Sequence, residues 1–411
     1  MVPSMDFYQN QVTTVHDLRV DPSRMARRVE ELTQARPACV LIPMVYAEMG
    51  RPALERIRTG LARCGFLNEV VVSLTAENEK QHREVTRFFA ELPVPVTVAW
   101  CESPTIREKF AELRQKGIYL EGLSGKGLAV WLGFGLASEG NYAILCHDAD
   151  IETYDPSLPA SLLLPIVDPD LDFFFSKGYY ARLSDSRMYG RVVRLFVWPF
   201  LDSLANVLGA RSPYLRYLRA FRYPLSGEFA LTSDLARNLR VPTDWGLELG
   251  VLAEVYRNTA QKRICQVDLG VYSHKHKDVG RNADEGLQRM VRDLAVTVLR
   301  SLTENEATTL SEASLLALRV VYRRTAQDYV RRYFVDAEYN GLAYDRHDEE
   351  STIEAFVHAL ERAEADYLQA PSAALIPDWL RILSAEERLP ATLKEASLWS
   401  DAGSLEIGRR P

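Results

Sequence analysis

The chain of 411 residues has no apolar run that approaches the ~20 residues of a membrane-spanning helix; the longest candidate, Val192 to Leu208, is broken by Arg194 and Asp202. A basic excess is missing too. Lys and Arg number 49 against 56 Asp and Glu, a net charge of -7, which argues against nucleic acid as the main partner. An anionic small substrate then requires a local cluster of basic residues. The cysteines (Cys39, Cys64, Cys101, Cys146 and Cys265) form no CxxC and no metal-type spacing, so reduced and mostly buried thiols are expected rather than a disulfide framework or a zinc site. The opening "MVPSMDFYQNQVTTVHDL" has no basic start followed by an apolar stretch, so no signal peptide is expected and the cytoplasm is the expected location. Internal repeats and low-complexity segments are absent as well.

What is present is alternation. "ACVLIPMVY" (38–46), "EVVVSL" (69–74) and "VPVTVAW" (94–100) read as buried strands, each followed by an amphipathic helical stretch. Continuous apolar strands alternating with helices predict an α/β fold, a mostly parallel sheet covered on both faces. Ligands in such sheets bind at the carboxyl ends of the strands. At one of these ends "YAILCHDADIETYD" (142–155) places Asp148 and Asp150 one residue apart. Alternate residues leaving a strand lie on one side of the chain, so one carboxylate can ligate Mg²⁺ or Mn²⁺ while the other contacts ribose or a metal-bound water. The duller reading, a helix cap for the segment that follows, competes with Asp155 and Ser157, which already suit that role.

Other stretches hold candidate groups. "GLSGKGLAVW" (122–131) is a glycine-rich turn into a helix whose amides and Lys126 could meet phosphate, or merely start the helix; it lacks the full P-loop pattern. "GFG" (133–135) lies within a helical stretch and makes no dinucleotide fingerprint. "SKGYYARLSDSRMYGRVVRLF" (176–196) concentrates Lys177, Arg182, Arg187, Arg191 and Arg194, with Gly190–Arg191 opening a helix that could grip a phosphate or carboxylate, or simply form a solvated basic face. "YPLSGEFAL" sets Glu228 in an apolar turn, where a carboxylate needs a hydroxyl or cation partner. "VYSHKHKD" ends a strand with His274, Lys275, His276 and Lys277; one imidazole could complete a metal shell, although surface histidines are the plainer reading.

In their joint order these segments resemble the glucosyl-3-phosphoglycerate synthases, retaining glycosyltransferases of GT-A fold with mannosyl-transferring relatives. "GKG", "HDADI", "GRVVRLFVWP", "PLSGEFA", "WGLELGVLAEVY" and "QVDLGVYSHKHK" carry the resemblance, over about residues 37 to 280. It implies Asp150 and His274 as metal ligands, with Lys126, Asp148 and Ala149 as donor contacts. Glu228 would face the transferred sugar. Gly190, Arg191, Val193, His276 and Lys277 would hold the acceptor, the last two standing where the family has Asn and Arg. The family's "PALNEE" after the first strand is "PMVYAE" here, so Pro43 and Glu48 carry over as donor contacts; "SLTAEN" leaves Ser73 as a third.

The resemblance implies transfer of glucose from a nucleoside-diphosphate glucose (UDP- or GDP-glucose) to 3-phospho-D-glycerate with retention, assisted by Mg²⁺ or Mn²⁺. Asp150, Arg191 and Glu228 would carry the chemistry. Mannosyl transfer or free glycerate as acceptor stay open, as do two other classes, a sugar-phosphate nucleotidyltransferase and a nucleotide-sugar sensor. The expected division is an N-terminal segment (1–36), a GT-A catalytic domain (37–283) and a helical extension (284–411). In the extension Leu287, Met290, Val291, Leu294, Val298 and Leu299 recur at helical spacing. That stripe predicts a homodimer interface or, alternatively, a cover for the chain's own core. No catalytic groups are expected there.

Overall fold

The computed structural model describes residues 9–18, 21–209, 211–273, 280, 282, 284–372 and 375–397. Among them nine strands form one sheet: β1 (Thr13–Val15), β2 (Ala38–Val45), β3 (Leu67–Thr75), β4 (Val96–Trp100), β5 (Ala143–Cys146), β6 (Phe175–Ser184), β7 (Arg187–Met188), β8 (Phe229–Thr232) and β9 (Ile264–Tyr272). Their order is β1-β9-β6-β8-β5-β2-β3-β4, with β7 paired to β6 off this path. β8 is antiparallel to β5 and β6, whereas β2 through β5 pair in parallel, as does β9 with β1 and β6. Thr13–Val15, from the segment set apart in the sequence, is the edge strand of this same sheet.

Strand β2 shows why the sheet lies inside. Ala38, Val40 and Ile42 point into one core, and Cys39 and Leu41 into the other. Successive side chains on a strand face opposite ways, so an unbroken apolar run requires helices on both faces. The helices Pro52–Leu61, Glu79–Phe89 and Ser157–Val167 cover one face, and Pro104–Gln115 and Lys126–Ala137 the other. Pro43 lies beyond the Ala38–Leu41 stretch that pairs with β5, where a missing N–H costs the ladder little.

The C-terminal third adds helices Gly286–Glu306, Glu312–Asn340 and Arg346–Gln369, then the shorter Trp379–Ala385 and Leu389–Ser397. They complete the chain's own core. Val291, Leu294, Val298 and Leu299 are buried in it, with Leu287 and Met290 packed against it, so the stripe proposed as a dimer face is covered by the same subunit. Trp379 stacks on Trp131 with ring centroids 4.4 Å apart, and its Nε1 donates to the Trp131 carbonyl at 2.7 Å. A Cβ at Gly135 would sit 2.2 Å from the Trp379 ring, which accounts for one glycine of "GFG" inside a helix. Among the described residues no helix is long and apolar enough to cross a membrane.

Candidate active site

The carboxyl end of β5 delivers Asp148 and Asp150 into a cleft of about 700 Å³, where both line the wall and both are half-buried. Lys126 reaches the same cleft from the start of its helix, and the GKG turn explains how. Gly125 has a φ of +89°, and a Cβ at Gly127 would lie 1.9 Å from the Pro242 carbonyl oxygen, so neither position accepts a side chain. The Lys126 ammonium lies 2.6 Å from Asp148 Oδ1 and 3.0 Å from Glu248 Oε1. Burial pulls its pKa down, but the Asp148 and Glu248 carboxylates outweigh burial and hold it well above the ordinary value. One cation thus pairs with two carboxylates at the first residue of a helix, whose N-terminal amides suit diphosphate.

Gly227 closes in on the same carboxylate, since a Cβ there would stand 2.5 Å from Asp148 Oδ2. The next residue, Glu228, is fully buried beneath the cleft, and its Oε2 accepts from the Tyr180 hydroxyl at 3.0 Å. Burial first, and the Glu228 charge second, push the Tyr180 hydroxyl well above the usual phenol range, so it stays protonated and donates. Tyr180 lines the cleft, stacked on Tyr272 at 4.3 Å and against Tyr223 at 4.6 Å. Glu228 therefore addresses the cleft through Tyr180 rather than directly. Lys177 is also buried below, where its Nζ donates to the Ser226 carbonyl at 2.7 Å. Burial lowers the Lys177 pKa to about 8 against the opposing pull of Glu248 and Glu228.

Another part of the lining carries Arg182, Arg187 and Arg191. Gly190, at a φ of +75°, turns the chain from β7 into a π-helical stretch, Val192–Val197, that continues as the helix Trp198–Leu208. Pro199 has no N–H for the Leu195 carbonyl four residues back, and the buried Tyr322 hydroxyl donates to that carbonyl at 2.9 Å instead. The C-terminal helices therefore secure the element that begins at Arg191. They also reach the cleft: Leu287, Met290, Tyr344, Asp345, Asp348 and Glu349 line it. Arg191 Nε donates to Glu349 Oε1 at 2.9 Å, and its Nη2 donates to Asp348. The extension, where no catalytic groups are expected from the sequence, thus contributes acids to the cleft lining; only long-range packing brings them to Arg191.

Of the residues singled out in the sequence, Lys126, Asp148, Asp150, Gly190, Arg191 and Val193 share this cleft. Ala149 is buried between the two acids. Pro43, Glu48 and Ser73 are not in its lining. Glu48 is buried and pairs with Arg51 at 3.2 Å, and Ser73 is fully buried, facing Gly133 under the Lys126–Ala137 helix. Of the five cations between 176 and 196, Arg182, Arg187 and Arg191 line the cleft, while Lys177 is beneath it and Arg194 is buried against Glu349. His274, His276 and Lys277 lie outside the described residues. Ser273, just before them, is held beside the acid turn, its carbonyl accepting from Glu152 N at 3.0 Å and its hydroxyl donating to Glu152 Oε2 at 2.7 Å. Tyr180, Gly227, Asp348 and Glu349 were not singled out from the sequence.

The mixed, mostly parallel sheet with an acid pair at its carboxyl edge defines the GT-A glycosyltransferase fold. A mannosyl-3-phosphoglycerate synthase structure from Rubrobacter xylanophilus matches with a TM-score of 0.54 and 21% identity, over 72% of this chain and 83% of that one. A glucosyl-3-phosphoglycerate synthase from Mycobacterium tuberculosis, in complex with phosphoglyceric acid, matches with a TM-score of 0.52 and 20% identity, over 71% and 88%. No family model matches. In sequence the chain is 48% identical to the glucosyl-3-phosphoglycerate synthase of Methanococcoides burtonii over 396 residues, 96% of this chain and 98% of that protein. It is 39% identical to the one from Persephonella marina, over 92% and 95%. The chain belongs to the glucosyl-3-phosphoglycerate synthase family.

Proposed function

We propose that this protein transfers glucose from a nucleoside-diphosphate glucose to 3-phospho-D-glycerate with retention at the anomeric carbon. The observation that carries the reading is one cleft with two unlike ends, Lys126, Asp148 and Asp150 at one and Gly190–Arg191 at the other. A donor diphosphate suits the first and an anionic acceptor the second. Family membership at 48% identity supports the same assignment.

Mg²⁺ or Mn²⁺ fits this site: two carboxylates at a strand end open onto the cleft, the donor set such ions share with substrate phosphates. Asp150 would hold the ion with His274, and when bound it supplies Lewis-acid neutralisation of the departing diphosphate. The chain's own groups do the rest. Lys126, kept protonated by its two carboxylates, holds a fixed positive charge beside the diphosphate. Arg191 orients the acceptor so that two substrates meet in one geometry, which converts a bimolecular encounter into an intramolecular one. Tyr180, backed by Glu228, offers a hydroxyl to the transferred sugar, and the buried Glu228 charge favours positive charge developing at the anomeric carbon. No side chain is assigned as a covalent nucleophile, so a front-face displacement, in which the leaving phosphate takes the acceptor proton, is the simplest course.

Steady-state turnover with and without EDTA, for wild type and Asp150→Ala, tests the site. Activity should vanish in EDTA and return with added metal, and Asp150→Ala should lose most turnover while melting like wild type. Full turnover in EDTA would contradict the reading. Release of pyrophosphate instead of nucleoside diphosphate would place the protein among the nucleotidyltransferases.

A further inference from the structure

The cation assigned to the acceptor is already engaged. Arg191 spends its Nη2 on Asp348 and its Nε on Glu349. The two carboxylates differ sharply in setting. The Glu349 side chain is 5% exposed and shared, with Arg194 Nη1 donating to its Oε2 at 2.8 Å, while the Asp348 side chain is 51% exposed and, among the described residues, pairs with Arg191. Removing Glu349 would take one shared carboxylate from both guanidinium groups, whereas releasing Asp348 returns one carboxylate to water and leaves Arg191 paired with Glu349. Asp348 also lies in the first turn of the helix Arg346–Gln369, with its own N–H donating to the capping Asp345 Oδ1 at 3.0 Å. A negative charge in that position is stabilised by the helix dipole whether or not Arg191 is near. Its release is therefore cheap.

We propose that Asp348 is a stand-in anion: it occupies the seat on Arg191 that the acceptor's carboxylate or phosphate takes, and the acceptor displaces it on binding. Glu349 is the positioning residue that keeps Arg191 aimed while the exchange occurs. The C-terminal extension thereby sets acceptor affinity, because each productive encounter must first break the Arg191–Asp348 contact. This inference rests on the acceptor reading of Arg191 given above. It adds a competing group from a distant part of the chain and assigns it a sign: the contact weakens acceptor binding.

The test uses the full chain. Acceptor and donor KM are measured for wild type, Asp348→Asn and Glu350→Gln, with calorimetric titration of 3-phospho-D-glycerate alone. Asp348→Asn should lower the acceptor KM and Kd by roughly two- to fivefold, the range of a half-exposed ion pair, and leave the donor KM in place. Glu350→Gln removes the same charge two residues on, where Glu350 pairs with the exposed Arg346 at 2.9 Å, and should leave the acceptor KM where it was. An acceptor KM that is unchanged or raised in Asp348→Asn, or that falls equally in both variants, overturns the proposal. If wild type neither binds nor glucosylates 3-phospho-D-glycerate, the function proposed above fails and this inference with it; if wild type does both and Asp348→Asn behaves like it, only this inference fails.

Discussion

Gly227→Ala should disable donor use through a single methyl group. The added carbon would lie 2.5 Å from Asp148 Oδ2 and 2.8 Å from its Cγ. Ordinary contact requires about 1 Å more, so one partner must move. The backbone is poorly placed to yield. Lys177 Nζ donates to the Ser226 carbonyl at 2.7 Å, while the Glu228 carbonyl accepts from Ser226 Oγ at 3.0 Å and from Gly178 N at 2.8 Å. Gly227 is backbone held from both sides, whereas the Asp148 carboxylate is a half-buried side chain on the cleft wall, so the carboxylate should swing away and break its 2.6 Å contact with Lys126. A misplacement of about 1 Å in a positioning group can cost on the order of a hundredfold in rate, or roughly 2.7 kcal/mol. Overpacking costs ~1–3 kcal/mol of stability when the whole strain falls on the fold, and here the carboxylate relieves part of it. Donor kcat/KM at saturating acceptor should therefore fall about a hundredfold, with only a modest drop in Tm. Wild-type donor kinetics in Gly227→Ala would refute the argument that this glycine is required by Asp148. A collapse in Tm would show that the backbone had yielded instead.

Arg191→Ala should raise the acceptor KM far more than the donor KM, by roughly ten- to a hundredfold for loss of a charge-assisted contact; equal effects on both substrates would remove Arg191 from the acceptor site. Glu364, buried in the helix Arg346–Gln369, has its carboxyl pushed from 4.5 to about 7 by burial, against the pull of Arg319. Between these values the native chain holds a proton that the unfolded chain has lost, so stability falls as pH rises through the window, by up to ~3 kcal/mol. Glu364→Gln should then raise Tm at pH 8 and leave it nearly unchanged at pH 4; a parallel shift at both would contradict the burial argument.

Features set by neighbours in sequence were legible in the sequence alone. The apolar runs gave β2 to β5, since a continuous run with a turn at its end has few other uses. The acid pair was visible as the end of one such run, and GKG and Gly190–Arg191 as glycines before helix starts. Features set by distant contacts were not. Asp348 and Glu349 look like ordinary acids in a first helical turn until the fold brings them to Arg191. Tyr180 comes to line the cleft with its hydroxyl on Glu228 only because β6 lies beside β8. Gly227 shows no sign in sequence of the close approach that its backbone makes. The stripe from Leu287 to Leu299 gave its periodicity correctly, but periodicity does not name the partner surface, and the chain itself proved to be that surface.

That a donor diphosphate and an anionic acceptor meet in one cleft is tested most directly by product identity. The protein should be offered UDP-glucose and GDP-glucose, each with 3-phospho-D-glycerate or glycerate and with Mg²⁺ or Mn²⁺, and the products read by mass and by anomeric proton coupling. The expected product is an α-linked glucosyl-3-phosphoglycerate with stoichiometric nucleoside diphosphate, formed in preference to the product from unphosphorylated glycerate. Absence of any glycosidic product from every pair, or a β-linked one, would contradict it.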